Sequence, residues 1–395
     1  MQFLKNNWRA TLIGSSATFI GIGLERFAFT PLIPTLIAQD WFDNSEAAFL
    51  GAANLLGYLF GAISAKRISD RFGDARLIMV AVLFSALSFL LCAWPEPFSW
   101  FFLWRLISGI TGGWLMVIGP SIAISHTKHE DRPVVGTLAF MGIGAGAVLS
   151  AVFIPPLLEV NLTVAWLVLG GMVVAVGMAA IAAASGLPSV KSIQPGRAPE
   201  ITFAKLDRAP IIAVILVLIA YVGDAIGFVP HTVFWVDFLE RDAGLPVEAA
   251  NLQWALFGFG ALLGPIAAGR VVSIVGWNKS LFGALLLKAV AVTLPFITVS
   301  LIARSFSSVV VGALVPGVVA LTSGRIAELV GSENHKAFWA KATAAFALGQ
   351  AASGYAMAEV LLLTGEYRPL FLISGLVLLI SSISALSSHF VKAKT

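Results

Sequence analysis

Five ionisable residues, Glu25, Arg26, Arg105, Asp224 and Lys288, interrupt runs of otherwise apolar sequence. A carboxylate or guanidinium set into such a run is costly unless it is paired, hydrogen-bonded or wetted. Groups of this kind either tie helices together as buried ion pairs or meet protons and charged solutes in a cavity. Aromatic and amide side chains nearby could complete a binding site: Phe29, Asn54, Tyr58, Tyr221, Phe228, His231, Gln253 and Trp254.

Composition says which elements must position these residues. Of 395 residues, 58% are hydrophobic and 12% charged, against about 45–50% and about 25% in a soluble domain. So few charges cannot cover a water-facing surface, and the apolar runs have the length of bilayer spans, about 20 residues each. Approximate helices fall at 9–36, 46–66, 75–94, 99–125, 133–158, 161–185, 209–232, 247–269, 279–303, 305–329, 336–362 and 367–389. The runs are continuously apolar and lack the alternation of a barrel wall, so helices are expected rather than strands. The fold class is therefore an all-α membrane protein of about twelve transmembrane helices.

Sorting Lys and Arg by alternate loops tests this order independently. Of the 25 basic residues, nineteen fall on the side that holds both termini, among them Lys5, Arg9, Lys66, Arg67, Lys128, Arg132, Arg270, Arg325 and Lys341. Arg241, Arg304 and Arg368 fall on the other side, and three lie within runs. That skew predicts cytoplasmic termini and an inner (plasma) membrane location, and it accounts for the basic balance without a nucleic-acid partner. Lys5 and Arg9 ahead of the first apolar run predict an uncleaved first span rather than a signal peptide.

The longest connection, 186–208, contains Pro188, Pro195, Gly196 and Pro199 and is expected to link two six-helix bundles, 1–185 and 209–395. Moving the second half back by 203 positions lays Gly260, Leu262, Gly264, Ile266, Ala268, Arg270 and Gly276 on Gly57, Leu59, Gly61, Ile63, Ala65, Arg67 and Gly73. A shift of 199 lays Asp224, Phe228 and Pro230 on Glu25, Phe29 and Pro31.

Glu25 stands about sixteen residues, or ~24 Å, from Arg9 along a helix, and Arg105 is expected ~21 Å from the same membrane edge. Equal depth allows them to pair, either as a structural ion pair or as cavity-lining groups. Asp224 holds the equivalent depth in the second half, with no basic residue before it in its own helix, which makes it the preferred proton-coupling carboxylate; the alternative is a permanent bond to a neighbouring helix. Arg26 and Arg105 bring two fixed positive charges to this level and favour an anionic solute. Lys288 has a stem long enough to reach the interface and is expected to anchor there.

Other chemistries find little support. Cys92 is the single cysteine, so neither a disulfide framework nor a metal ligand set is expected. Gly142, Gly144 and Gly146 imitate part of a dinucleotide fingerprint but lie in an apolar run without a preceding strand. No phosphate-loop lysine motif occurs, so a gradient rather than a nucleotide must supply energy. No cofactor and no enzymatic activity are expected.

Gly61, Ala65, Lys66, Arg67, Asp70, Arg71, Gly73 and Arg76 resemble the loop signature of the major facilitator superfamily between its second and third helices. Arg105, Gly109 and Gly113 resemble its fourth-helix signature, whose arginine is associated with proton coupling. Gly23, Arg26, Phe27, Ala28, Phe29, Pro31, Leu32 and Pro34, with Asn54, Leu56, Gly57, Tyr58, Leu59 and Gly61, look like the YbfB/YjiJ branch. The resemblance implies alternating access between two bundles around a site lined by helices 1, 4, 7 and 10. It also implies a gating role for Asp70, Arg71, Gly73 and Arg76, although Lys66 and Asp74 depart from the usual pattern.

The expected function is proton-coupled secondary transport of a small anionic or amphipathic organic solute, by a monomer whose partners are solute, protons and lipid. Proton coupling is assigned to Asp224, Glu25 and Arg105. Solute contacts are assigned to Arg26, Arg105, Phe29, Asn54, Tyr58, Tyr221, Phe228, His231, Gln253 and Trp254. Two alternatives stand beside it: a promiscuous drug or metabolite exporter of the same fold, and a membrane sensor or assembly partner that moves no solute.

Overall fold

A computed structural model describes residues 2–185, 208–388 and 390. Its described residues form helices and no strand. In order these are α1 (Gln2–Thr18), α2 (Asn44–Phe72), α3 (Asp74–Leu91), α4 (Phe98–Ser125), α5 (Arg132–Val160), α6 (Leu162–Ser185), α7 (Arg208–Gly227), α8 (Val247–Val275) and α9 (Trp277–Ile297). The run Leu301–Thr364 then divides at Gly331, φ 76°, into α10 (Leu301–Gly331) and α11 (Phe338–Thr364), and α12 (Arg368–Ser387) follows. Eleven described helices are long and apolar enough to cross a membrane. Together with the interrupted first run, Gln2 to Ala38, they agree with the expected all-helical fold of twelve spans.

The first helix starts at Gln2 rather than near residue 9, and it does not run straight through. Past Thr18 it widens into a π turn (Phe19–Leu24), tightens at Thr30–Leu32 and resumes at Ile33–Ala38. Beyond α7 the chain likewise passes through π turns at Pro230–Phe234 and Phe238–Asp242. Pro31, Pro34 and Pro230 lack the N–H that a regular ladder needs, and Gly21 and Gly23 hold a helix weakly. The consequence reaches the centre of the molecule. Phe29 N–H bonds the Arg26 carbonyl instead of that of Glu25, leaving the Glu25 carbonyl open to another helix.

Glycines set how closely the helices approach. A Cβ added at Gly57 would lie 2.0 Å from the Leu106 carbonyl oxygen, at Gly61 2.2 Å from that of Ile110, and at Gly109 2.1 Å from that of Asn54. These contacts press α2 onto α4. Pressing α8 onto α10, Gly260 meets Val309 at 2.2 Å, Gly264 meets Ala313 at 2.0 Å, and Gly312 meets Phe257 at 2.0 Å. Each member of the second set stands 203 positions after its counterpart in the first. The turns that close α2 and α8 use Gly73, φ 88°, and Gly276, φ 80°, conformations that favour glycine. At the opposite end of α2, Asp43 and Glu46 form a reciprocal capping box, at 2.8 and 3.1 Å.

Every residue from 20 to 34 and from 227 to 239 is buried. Thr30 donates to the Thr232 carbonyl across this region, and Phe27 meets Trp254 and Phe257 edge-on. The two irregular segments are thus packed against each other in the middle of the molecule. The expected 186–208 linker lies outside the described residues, apart from Arg208, which opens α7.

Candidate functional site

Glu25 is fully buried just beyond the π turn of the first helix. Thr111 Oγ1 of α4 donates to its Oε1 at 2.7 Å, and Ser85 Oγ of α3 donates to that hydroxyl at 3.2 Å. The expected side-chain pair with Arg105 does not form. Arg105 Nη1 instead donates to the released backbone carbonyl of Glu25 at 2.6 Å, and its guanidinium lies 4.1 Å from the Phe29 ring centroid. The carboxylate therefore faces hydroxyls rather than a cation, and Oε2, like Arg105 Nε, is without a partner. Gly112 makes room for it, since a Cβ there would lie 2.9 Å from Oε2.

Arg26 points the other way from the same turn. Its Nη1 donates to Gln350 Oε1 of α11 at 3.0 Å, its Nε to Asn54 Oδ1 of α2 at 3.4 Å, and its guanidinium sits 4.6 Å from the Tyr58 ring centroid. Asn54 Nδ2 in turn donates to Ser108 at 2.9 Å. Arg26 Nη2 and Gln350 Nε2 are buried donors without a partner. Arg26 and Tyr58 keep 7% and 6% exposure, where Glu25 and Asp224 keep none. Sequence reasoning missed Gln350, Thr111 and Ser85. An isolated uncharged side chain in an apolar run gives no signal until the fold shows what it faces.

The second carboxylate corrects an expectation. Lys288 is not an interface anchor: it is fully buried, its ammonium 2.6 Å from Asp224 Oδ1, 3.2 Å from the Leu314 carbonyl and 4.6 Å from the Phe228 ring centroid. Sequence reading looked for a base on Asp224's own helix, whereas α9 brings it from 64 positions away. Tyr221 of α7 and Phe228, just beyond its end, flank Asp224 and pack on Phe346 of α11, at 4.5 and 5.9 Å between ring centroids.

The remaining expected contacts are already engaged. The π turn directs His231 to Ser307 of α10 at 2.7 Å and stacks it on Trp235. Gln253 exchanges hydrogen bonds with Ser305 and Ser308, at 3.3 and 3.2 Å. Trp254 donates to Ser150 of α5 at 3.0 Å and stacks on Phe257. These residues knit the segment beyond α7 to α10, and α8 to α5 and α10, around the centre. Asp70 pairs with Lys66 at 2.6 Å on the exposed end of α2, about sixteen residues or ~24 Å from Asn54 along the helix. Asp70, Arg71, Gly73 and Arg76 thus stand at the end of the bundle, apart from the central group.

Residues 18–386 match a protein family described as uncharacterised MFS-type transporter YbfB. The chain is 24% identical over 302 residues to the 4-hydroxybenzoate transporter PcaK of Pseudomonas aeruginosa, covering 66% of this chain and 65% of that protein's length. It is 33% identical over 131 residues to a gallate transporter of Pseudomonas putida, covering 31% and 28% of the two chains. Over 117 residues it is 30% identical to the class H tetracycline resistance protein of Pasteurella multocida, covering 29% and 28%.

Proposed function

The chain belongs to the YbfB-type family of MFS transporters, and from that membership we propose that it is a secondary active transporter of a small organic solute bearing a carboxylate. Its drive is proton movement through Glu25, assisted by Arg105. The observation that carries the solute class is the pair of unpartnered buried donors, Arg26 Nη2 and Gln350 Nε2, on helices joined across the centre. Buried donors seek acceptors, and a guanidinium beside an amide fits the two oxygens of a carboxylate. Tyr58, Tyr221 and Phe228 supply aromatic walls. The acids named for PcaK and the gallate transporter have this shape, a carboxylate on an aromatic ring.

Two six-helix halves, 1–185 and 209–395, rock about this centre in alternating access, with Asp70, Arg71, Gly73 and Arg76 controlling the end on their side. The protein works as a monomer in the inner membrane, with both termini cytoplasmic. It is a carrier rather than an enzyme, as its relatives are.

Thermal unfolding of the purified protein with 4-hydroxybenzoate, gallate and a neutral aromatic amide of similar size tests the solute class. The acids should raise the midpoint and the amide should not, with Arg26→Ala removing the response. Equal stabilisation by the amide overturns the anionic reading. The aromatic cluster Phe27, Trp254 and Phe257 and the similarity to a tetracycline resistance protein favour a second reading, export of amphipathic drugs. Drug stabilisation that survives Arg26→Ala would support it.

A further inference from the structure

The two buried carboxylates occupy corresponding places but are neutralised by different means. The glycine contacts of α2 on α4 and of α8 on α10 fix the correspondence at 203 positions. In that register Ser85 corresponds to Lys288 and Thr111 to Leu314, while Glu25 corresponds to Asp224 in the 199 register of the first and seventh spans. Where the first half sets the hydroxyls of Ser85 and Thr111 before a carboxylate, the second half sets the ammonium of Lys288, with the Leu314 carbonyl as its other acceptor.

From this substitution we propose that Lys288 is a built-in counter-cation that holds Asp224 as a permanent ion pair, leaving Glu25 as the one carboxylate of the pair that binds and releases a proton. The inference rests on the reading of Glu25 as the proton carrier. The groups facing each acid bear it out. Glu25 has Arg105 on α4 and Arg26 beside it in sequence, but both guanidiniums are directed elsewhere, to the Glu25 carbonyl and to Gln350. Its Oε2 lies open to a proton. Asp224 has Lys288 of α9 in direct contact, with Tyr221 and His231 as the other titratable groups along its own run. α11 and α12, which also pack on α7, bring Phe346, Ser381 and Leu378, all uncharged, to this stretch. One half thus carries an exchangeable cation and the other a covalently attached one. The molecule keeps the symmetry of its carboxylates while moving a single charge.

Infrared difference spectra of the purified protein, recorded between acidic and alkaline pH, read protonated carboxylic acids directly and need no solute. The wild type should show a buried acid band that titrates, which Glu25→Gln removes and Asp224→Asn leaves in place. The double variant K288S/L314T rebuilds around Asp224 the hydroxyls that surround Glu25, and it should gain a second titrating band that disappears when D224N is added. A titrating band pattern that Glu25→Gln leaves unchanged overturns the proposal, as does a folded K288S/L314T protein with no titrating band beyond those of the wild type. The wild-type and Glu25→Gln spectra decide the matter even if the double variant fails to fold. Because no solute enters the measurement, a correct band pattern without any acid binding would fault the transport reading alone.

Discussion

Arg26 of the first helix donates to Gln350 of α11 at 3.0 Å while its guanidinium lies over Tyr58 of α2 at 4.6 Å. One side chain therefore joins three helices and still presents a free donor at the centre.

That donor sets the first prediction. Hydrogen bonds to charged groups contribute about 1.5–3 kcal/mol, so Arg26→Ala should weaken carboxylate binding by about 10- to 150-fold. Arg26→Lys keeps the charge but loses the planar fork, and should recover only part of the loss. Calorimetric titration with 4-hydroxybenzoate measures both; an unchanged Kd in Arg26→Ala would remove this residue from the site.

Asp224→Asn keeps an acceptor oxygen but leaves the buried Lys288 ammonium without its counter-charge. Breaking a buried pair on one side costs about 3–5 kcal/mol, whereas replacing both partners by apolar groups is often neutral. Thermal unfolding should therefore show a large loss for Asp224→Asn and a much smaller one for the double variant D224L/K288M. Equal losses would mean that the two residues are not coupled.

Gly57→Ala and Gly260→Ala each drive a methyl group into a backbone carbonyl, at 2.0 and 2.2 Å. Overpacking typically costs about 1–3 kcal/mol, and because the contacts correspond, the two variants should lower the unfolding midpoint by similar amounts. Gly283→Ala, with nothing within 4 Å, is the neutral control.

Tyr367, before α12, donates to the Asp237 carboxylate. Burial, reinforced by that neighbouring carboxylate, pushes its hydroxyl well above the ordinary tyrosine value. The folded phenol keeps its proton to higher pH than the unfolded one, whose value is about 10. Its contribution to stability is therefore complete below about pH 10 and is lost as pH rises further. Tyr367→Phe should flatten the alkaline part of the stability profile, and an identical slope would contradict this.

The fold was legible because composition and apolar run length leave few alternatives for a chain of this kind, and because Gly57, Gly61, Gly260 and Gly264 mark close helix approaches in sequence as well as in space. Arg26, Asn54 and Tyr58 were legible as candidates because their types stand out in apolar runs at a similar depth. The partners of the carboxylates were not. Lys288 reads as a snorkelling lysine when only its own helix is considered, and Gln350 as one amide among apolar residues. Both acquire meaning from tertiary placement across tens to hundreds of positions. The tight turn between Arg26 and Phe29 that frees the Glu25 carbonyl for Arg105 was hidden for a related reason: Pro31 and Pro34 announce a break but not where the released carbonyl points.

Uptake of 4-hydroxybenzoate into proteoliposomes, driven by an imposed pH gradient and compared with solute exchange at equal pH, tests proton coupling through Glu25 most directly. Glu25→Gln should abolish gradient-driven accumulation and leave exchange in place. Accumulation at the wild-type level in that variant would contradict the account.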